Sequence, residues 1–178
     1  MRLFLAIDLP EEIKEYLFQL EKKFKEAKIT WVSKKNLHLT LKFLGEVSEK
    51  DLPRIKEQIQ ICEKPLNLTL ARLGFFPNEK NPTVIWVSVE PEDTVIDLQQ
   101  RLDENLLPLF PGEQRFQAHL TLGRIKSIRR KEDFFKSVKS MKIEKKSFKV
   151  SSFQLKNSEL TKNGPIYKTL KNVTLSKM

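Results

Sequence analysis

Two short stretches, Leu37-His38-Leu39-Thr40-Leu41 and Ala118-His119-Leu120-Thr121-Leu122, decide the fold. They contain both histidines of the 178-residue chain, and each histidine is followed by Leu-Thr-Leu. Ordinary residue frequencies produce such a match about once in a few thousand trials per histidine, so coincidence is a poor explanation. Because a helical pattern follows each stretch, we interpret the chain as a diverged duplication with one strand–helix unit in each half.

The alternation within each stretch predicts a strand with two unlike faces. Side chains two residues apart share a face, so His38 lies beside Thr40 and His119 beside Thr121, while the leucines point toward a core. Two such strands related by a pseudo-twofold axis would line a cleft with two imidazoles and two hydroxyls. An imidazole titrates near neutral pH, so one can accept a proton while the other donates one. Hydroxyl groups can hold the oxygens of a phosphate.

Strand and helix patterns alternate along the rest of the chain and predict an α+β protein with mainly antiparallel sheet. The hydrophobic patterns at 66–70 and 84–89 are expected to pair as a β-hairpin. A helical pattern that begins at Ser48 continues to Cys62, which is therefore predicted to be a core residue. No segment has the composition of a linker, so residues 1–178 are expected to form one domain.

The composition excludes several classes of protein. With 39% hydrophobic and 31% charged residues, the chain has enough apolar material for a packed core. No apolar run approaches the ~20 residues that span a bilayer, so no membrane contact and a cytoplasmic location are expected. The single cysteine excludes an internal disulfide, and only two histidines remain as soft ligands, so no metal site is predicted.

The positive charge is concentrated in one segment. The chain carries a formal net charge of +10, and residues 124–149 hold eleven basic against three acidic side chains, or +8 of that total. Such a field favours a polyanion such as RNA, an acidic lipid surface or a phosphorylated metabolite. The alternative is a solvated face of a lysine-rich protein.

The two motifs and their surroundings resemble the two-histidine (2H) phosphoesterase superfamily, and most of all its RNA 2′,3′-cyclic phosphodiesterase branch, the 2′-5′ RNA ligase-like (LigT/ThpR-type) proteins. The likeness covers almost the whole chain and rests on these strings: Arg2–Ile7, Trp31-Val32, Asn36–Gly45, Ala118–Arg124, Ser158–Leu160 and Gly164–Tyr167. It implies one two-lobed catalytic domain over 1–178, with antiparallel sheets and flanking helices around a central cleft. It also implies a metal-free phosphodiesterase, and we expect a cytoplasmic monomer that needs no cofactor.

The resemblance further implies an activity and roles for individual residues. The expected reaction is hydrolysis of a terminal ribose 2′,3′-cyclic phosphate on RNA to a 2′-phosphomonoester. His38 would be the proton donor and His119 the proton acceptor, with Thr40 and Thr121 as phosphate ligands and Arg124 as a phosphate or base contact. Two alternatives stay open: the reverse reaction, which is 2′-5′ RNA ligation, and an RNA- or nucleotide-binding module without catalysis.

Five neighbouring side chains are weaker candidates for substrate contact. Phe43 and Arg124 each follow their histidine by five residues, which strand parity assigns to the opposite face unless the strand bends. Gly123 permits a bend beside Arg124, so for Phe43 core packing is favoured over substrate contact. Lys42 shares the His38 face by parity and would either meet phosphate or remain solvated. Tyr167, like Trp31, would either stack on a base or be buried.

Overall fold

Nine strands and four helices make up the described part of the chain, residues 1–113 and 115–176 of a computed structural model. In chain order they are β1 (Arg2–Asp8), α1 (Glu11–Glu21), β2 (Ala27–Trp31), β3 (His38–Glu46), α2 (Leu52–Gln58), β4 (Leu66–Phe76), β5 (Val84–Glu90), α3 (Glu92–Leu106), β6 (His119–Ile128), α4 (Lys131–Ser140), β7 (Ser147–Val150), β8 (Ser152–Thr161) and β9 (Gly164–Thr174). The paired strands run antiparallel, so the predicted α+β class is confirmed. None of the described helices is long and apolar enough to cross a membrane.

All nine strands belong to one sheet with two equivalent halves. The strand order is β7-β4-β5-β6-β3-β1-β8-β9, and β2 pairs separately with β6. The two histidine-bearing strands, β3 and β6, meet at the centre through the backbone pair Leu39–Leu120. Outward from β3 follow β1, β8 and β9, and outward from β6 follow β5, β4 and β7. The inner strands β1 and β5 each precede a long helix, α1 and α3. A pseudo-twofold axis therefore passes near the Leu39–Leu120 pair.

The outer strands are exchanged between the two halves of the sequence. The repeated units β1-α1-β3 and β5-α3-β6 lie in different lobes, as a strand–helix unit in each half predicts. However, β4 lies in the lobe of β6, because it forms the predicted hairpin with β5 across a short connection. The C-terminal strands β8 and β9 lie in the lobe of β3. Each lobe is thus completed by strands from the other half of the chain.

One face of the sheet forms the hydrophobic core and carries the helices. Leu39, Leu41, Leu120 and Leu122 are at most 1% exposed, so the predicted leucine faces of both motif strands are confirmed. The amphipathic helices α1 and α3 bury their apolar stripes on this core: Ile13, Leu17, Leu20, Val95, Leu98, Leu102 and Leu106.

Two local features differ from the sequence prediction. The second helix ends at Gln58, and Cys62 is exposed in the connection that follows, so its assignment to the core is wrong. The Cys62 thiol lies 3.4 Å from the backbone oxygen of Ser176. The strand β2 was not predicted, because it has five residues and alternates between exposed and half-buried positions. Short strands of this kind have little hydrophobic pattern to reveal them.

Candidate active site

The central pair of strands brings the two His-x-Thr motifs onto one surface. Because Leu39 is paired with Leu120 in antiparallel register, the next positions place His38 across from Thr121 and Thr40 across from His119. All four side chains are half-buried and point away from the leucine face. The predicted meeting of two imidazoles and two hydroxyls at a pseudo-twofold axis is therefore what the register produces.

Each histidine is oriented by the same backbone contact. The Nδ1 atom of His38 lies 2.6 Å from the carbonyl oxygen of Asn36, and that of His119 lies 2.7 Å from the carbonyl oxygen of Gln117. A carbonyl oxygen can only accept, so Nδ1 carries the hydrogen in both rings. In a neutral ring Nε2 is then the acceptor. It can take up a proton as a base, and once protonated it can donate that proton as an acid.

The two Nε2 atoms differ in their partners. Nε2 of His38 lies 2.9 Å from Oγ1 of Thr40. For Nε2 of His119, no residue in the described ranges forms a hydrogen bond. The His119 nitrogen is accordingly free to bind a water molecule or a substrate oxygen.

Aromatic rings pack against both imidazoles. The ring of His38 lies 5.2 Å from that of Phe4 and 5.3 Å from that of Tyr167. The ring of His119 lies 4.8 Å from that of Phe76. Burial lowers the pKa of His38 to about 4, against the opposing effect of its backbone hydrogen bond, and burial also lowers the pKa of His119. Both imidazoles are therefore mainly neutral at pH 7 in the free protein.

A β-bulge in β3 brings Phe43 to the histidine face. The strand β1 pairs Ala6 with Thr40 but Leu5 with Lys42, so Leu41 is an extra residue. The extra residue shifts the alternation by one, and Phe43 emerges 68% exposed beside Phe4, with ring centroids 6.1 Å apart. The expectation that Phe43 packs in the core is wrong.

The same bulge occurs in β6. The strand β5 pairs Trp86 with Thr121 but Ile85 with Gly123, so Leu122 is the extra residue. Arg124 is consequently exposed on the histidine face, at the position that Phe43 occupies in the other lobe. The pseudo-twofold axis thus relates an aromatic ring on one side of the site to a guanidinium on the other.

Lys42 is excluded from the cleft by the same bulge. It is 4% exposed, and its ammonium group forms an ion pair with Asp103 of α3 and donates to the carbonyl oxygen of Pro111 at 2.8 Å. The prediction that Lys42 meets phosphate or solvent is therefore wrong. A buried ammonium requires such partners, because its desolvation is otherwise costly.

Tyr167 lies beside His38, whereas Trp31 packs against the hydrophobic core. Besides His38, the Tyr167 ring contacts Phe4 at 4.9 Å. Burial raises the pKa of Tyr167, although the positive charge of Arg124 is close enough to oppose that rise, so the phenol stays protonated at neutral pH. Trp31 packs 5.7 Å from Phe24 and is partly buried against the core, in agreement with the buried alternative.

Sequence reasoning missed Phe4, Phe76, Asp8 and Lys156, which also surround the histidines. Phe4 and Asp8 alternate with the buried Leu3, Leu5 and Ile7 in β1, and that parity is a signal that could have found them. Phe76 and Lys156 come from exchanged outer strands, and nothing in their local sequence connects them with a histidine.

The predicted basic segment covers β6, α4 and β7. Its residues Arg129, Arg130 and Lys131 are exposed where β6 ends and α4 begins. Beside them runs a groove of about 520 Å³, lined by Glu79, Lys80, Lys131, Glu132, Phe135 and Lys139. Within the described ranges, no three His, Cys, Asp or Glu side chains are grouped closely enough to hold a metal ion.

A pair of His-x-Thr motifs that face each other across a pseudo-twofold axis defines the class of two-histidine phosphoesterases. A family model supports this class independently, because the LigT-like phosphoesterase model matches residues 7–86 and again residues 87–167. The chain belongs to the LigT-like phosphoesterase family.

Individual relatives agree with this assignment. A protein of Methanocaldococcus jannaschii named RNA 2′,3′-cyclic phosphodiesterase is 38% identical over 173 residues, which are 96% of this chain and 99% of that protein. A protein of the same name from Methanothermobacter thermautotrophicus is 35% identical over 174 residues, covering 94% and 95% of the two chains. The crystal structure of E. coli LigT complexed with 3′-AMP matches with a TM-score of 0.79 at 28% identity, covering 99% and 98%.

Proposed function

We propose that this protein hydrolyses the terminal 2′,3′-cyclic phosphate of RNA and leaves a 2′-phosphomonoester. The observation that carries the proposal is the central register, in which each histidine lies across from the threonine of the other motif. This register brings two imidazoles and two hydroxyls together on one surface of the sheet, and these groups can bind a phosphate and exchange protons with it. The names of the relatives that match over nearly their whole length support the same reaction.

In the proposed mechanism one histidine takes a proton from the attacking water, and the other gives a proton to the leaving oxygen. Nε2 of His119 removes a proton from the attacking water, whose oxygen forms a new bond to phosphorus. The bond from phosphorus to the 3′ oxygen breaks, and that oxygen receives a proton from Nε2 of His38. Nε2 of His119 has no hydrogen-bond partner among the described residues, which supports its role as base, since a water molecule can bind there. Positioned acid–base groups typically contribute ~10² to 10⁴-fold each.

The threonines and the fifth residues after the histidines are proposed to bind the substrate. Thr40 and Thr121 donate their hydroxyls to the non-bridging phosphate oxygens. Arg124 adds a positive charge at the open side of the cleft, which a phosphate or the edge of a base can use. Phe43, with Tyr167 nearby, offers an aromatic surface on which the terminal base can stack.

The substrate itself changes the protonation of the acid. Burial holds His38 neutral in the free protein, because the charged form is poorly solvated there. The negative charge of a bound cyclic phosphate favours the imidazolium form. His38 would therefore become an effective proton donor when the cleft is occupied.

The test is incubation of a short RNA bearing a 2′,3′-cyclic phosphate with the purified protein in excess chelator. The expected product is a 2′-phosphate, separated from the 3′ isomer by chromatography, with a bell-shaped pH–rate profile. His38→Ala and His119→Ala should each reduce the rate by at least ~10²-fold. A 3′-phosphate product, or activity that disappears with chelator and returns with a divalent ion, would contradict the proposal.

The same assay separates hydrolysis from the two alternatives. A second RNA with a 5′-hydroxyl end is added, and a 2′-5′ linked product reveals ligation. Binding of the RNA without any product would indicate a non-catalytic module.

A further inference from the structure

A cluster of three charges lies next to His38. Asp8, at the end of β1, is the backbone partner of His38 in β3. Its carboxylate lies 2.7 Å from Nζ of Lys14 and 3.9 Å from Nζ of Lys156. Both lysines are buried, at 8% and 7% exposure. Two ammonium groups and one carboxylate thus carry a net positive charge beside an imidazole.

Lys156 belongs to the histidine face of the sheet. It is the backbone partner of Phe4, whose ring contacts His38, and opposite side chains of an antiparallel pair share a face. Between Phe4 and Asp8, β1 presents the small side chain of Ala6 on this face. The long side chain of Lys156 can therefore extend over Ala6 toward Asp8. Burial lowers the pKa of Lys156, while Asp8 opposes that effect and supports the charged form.

The other lobe has no such charges at the equivalent places. The backbone partner of His119 is Ser88, where that of His38 is Asp8. The backbone partner of Thr40 is Ala6, whereas that of Thr121 is Trp86, whose bulky indole is 4% exposed. The two histidines have the same backbone contact but different electrostatic surroundings.

We propose that the cluster of Asp8, Lys14 and Lys156 is a positioning element that controls the protonation of His38 and makes the two histidines chemically unequal. Two ammonium groups disfavour a third positive charge on His38, and Asp8 limits this effect. Without substrate, burial keeps the ring neutral and the net positive charge of the cluster adds to that effect, whereas the anionic phosphate favours the imidazolium. The catalytic consequence rests on the proposed function, whereas the titration of His38 does not.

The remaining titratable groups that face His38 do not supply this control. They are Tyr167 on β9, whose phenol is neutral at neutral pH, His119 on β6, whose pKa burial lowers, and Arg124 on β6, whose exposed charge is screened by solvent. The buried charges that differ between the two lobes are therefore those of Lys14 on α1 and Lys156 on β8, together with their partner Asp8 on β1.

The experiment follows the imidazole signals of the free protein by NMR between pH 3.5 and 8. The chain has two histidines, so two signals are expected, and His119→Gln assigns them. Lys156→Met keeps the length of the side chain and removes its charge, and it should raise the His38 midpoint by roughly 0.5 to 1 pH unit. Asp8→Asn should shift the His38 midpoint the other way. Neither change should move the His119 midpoint by more than a third as much.

Two control variants separate charge from packing. Lys156→Arg retains the charge and should leave the His38 midpoint near that of the unmodified protein, and Lys139→Met removes an exposed lysine of α4 and should have no effect. If Lys156→Met does not fold, the opposite shift in Asp8→Asn decides the question. Equal shifts in Lys156→Met and Lys139→Met, or an upward shift in Asp8→Asn, would overturn the proposal. Shifts as expected in a protein that hydrolyses no cyclic phosphate would reject the proposed function and leave the cluster's role intact.

Discussion

At the scale of single residues, the site shows how two equal side chains can acquire unequal functions. His38 and His119 are each held by the carbonyl oxygen two positions earlier, which fixes the same tautomer in both. They differ in what surrounds them, since His38 has Thr40 on its Nε2 and a charged cluster beside it, whereas the ring of His119 packs against those of Phe76 and Trp86. The difference between the proposed acid and the proposed base therefore arises from the residues around them.

The acid and the base can be distinguished by the leaving group. A general acid matters because an alkoxide leaves poorly, so its loss is less damaging when the leaving group is already a stable anion. With a nitrophenyl phosphodiester, His38→Ala should recover a large part of its lost rate, and His119→Ala should not. The measurement compares kcat/KM on this ester and on a cyclic nucleotide for both variants, after each is shown to fold and bind phosphate. Recovery in His119→Ala alone would reverse the assignment.

At the scale of elements, the bulges in β3 and β6 decide which side chains reach the cleft. Each inserts one leucine after the threonine, and each returns the fifth residue to the histidine face. The two strands have the same succession of half-buried, buried and exposed positions over their first six residues. The bulge is thus part of the repeated unit and accompanies the His-x-Thr motif.

These bulges also explain where the sequence was insufficient. The leucine faces, the hairpin and the two motifs follow from alternation, which the sequence displays directly. A bulge depends on how a strand pairs with its neighbour, so the positions of Phe43 and Lys42 could not be obtained from parity alone. The exchange of outer strands has the same origin in long-range pairing, and it conceals the proximity of Lys156 to His38.

The tight approach of β2 to β6 should make Gly123 intolerant of a side chain. A Cβ atom at Gly123 would lie 2.7 Å from the side chain of Ile29 and 2.9 Å from the backbone oxygen of Thr30. Gly123→Ala should therefore lower the free energy of unfolding by about 1–3 kcal/mol, measured by urea denaturation. It should also raise KM for the cyclic phosphate, since a displaced β6 carries Arg124 with it. An unchanged urea midpoint would show that β2 moves aside freely.

At the scale of the whole molecule, two buried groups should act oppositely on stability. His38 has a folded pKa of about 4, below the ordinary 6.5, so its contribution to the free energy of unfolding is lost as pH falls from about 6.5 through 4. Burial raises the pKa of Glu21 to about 7 from 4.5, so stability is lost as pH rises through that range. The two effects oppose each other across the same interval, and the dependence of the unmodified protein on pH is their difference.

Replacing Glu21 isolates one of the two effects. Glu21→Gln removes a carboxylate that is 6% exposed and whose Oε1 has no protein partner among the described residues. The variant should gain roughly 1–3 kcal/mol relative to the unmodified protein at pH 8, and the gain should shrink at pH 5. Urea denaturation at both pH values measures it, with the exposed Glu12→Gln of the same helix as control. A gain that is equal at both pH values would mean that Glu21 is not protonated on folding.

The uneven charge of the molecule should favour long RNA over small nucleotides. A triple variant in which glutamine replaces Arg129, Arg130 and Lys131 loses three exposed charges next to the cleft strand β6. Phosphates beyond the terminal one can reach this region only if the substrate is an oligonucleotide, so KM should rise more for an oligonucleotide than for a cyclic mononucleotide. The difference should shrink with added salt. The slope of log KM against the logarithm of the salt concentration should decrease by about 0.7 for each phosphate that the variant no longer binds.

A second triple variant distinguishes a local binding surface from the total charge. Lys50 lies just before α2, and Arg54 and Lys56 lie within it. This helix packs against α3 on the helix-bearing side of the sheet, so replacing the three residues by glutamine removes the same charge from a different place. Long-range attraction depends on the whole field, and it would be weakened about equally by both triple variants. Direct contact with the RNA chain depends on position, and only the change beside β6 should then discriminate between the oligonucleotide and the mononucleotide. Equal effects of the first triple variant on both substrates would instead assign residues 129–131 to solubility.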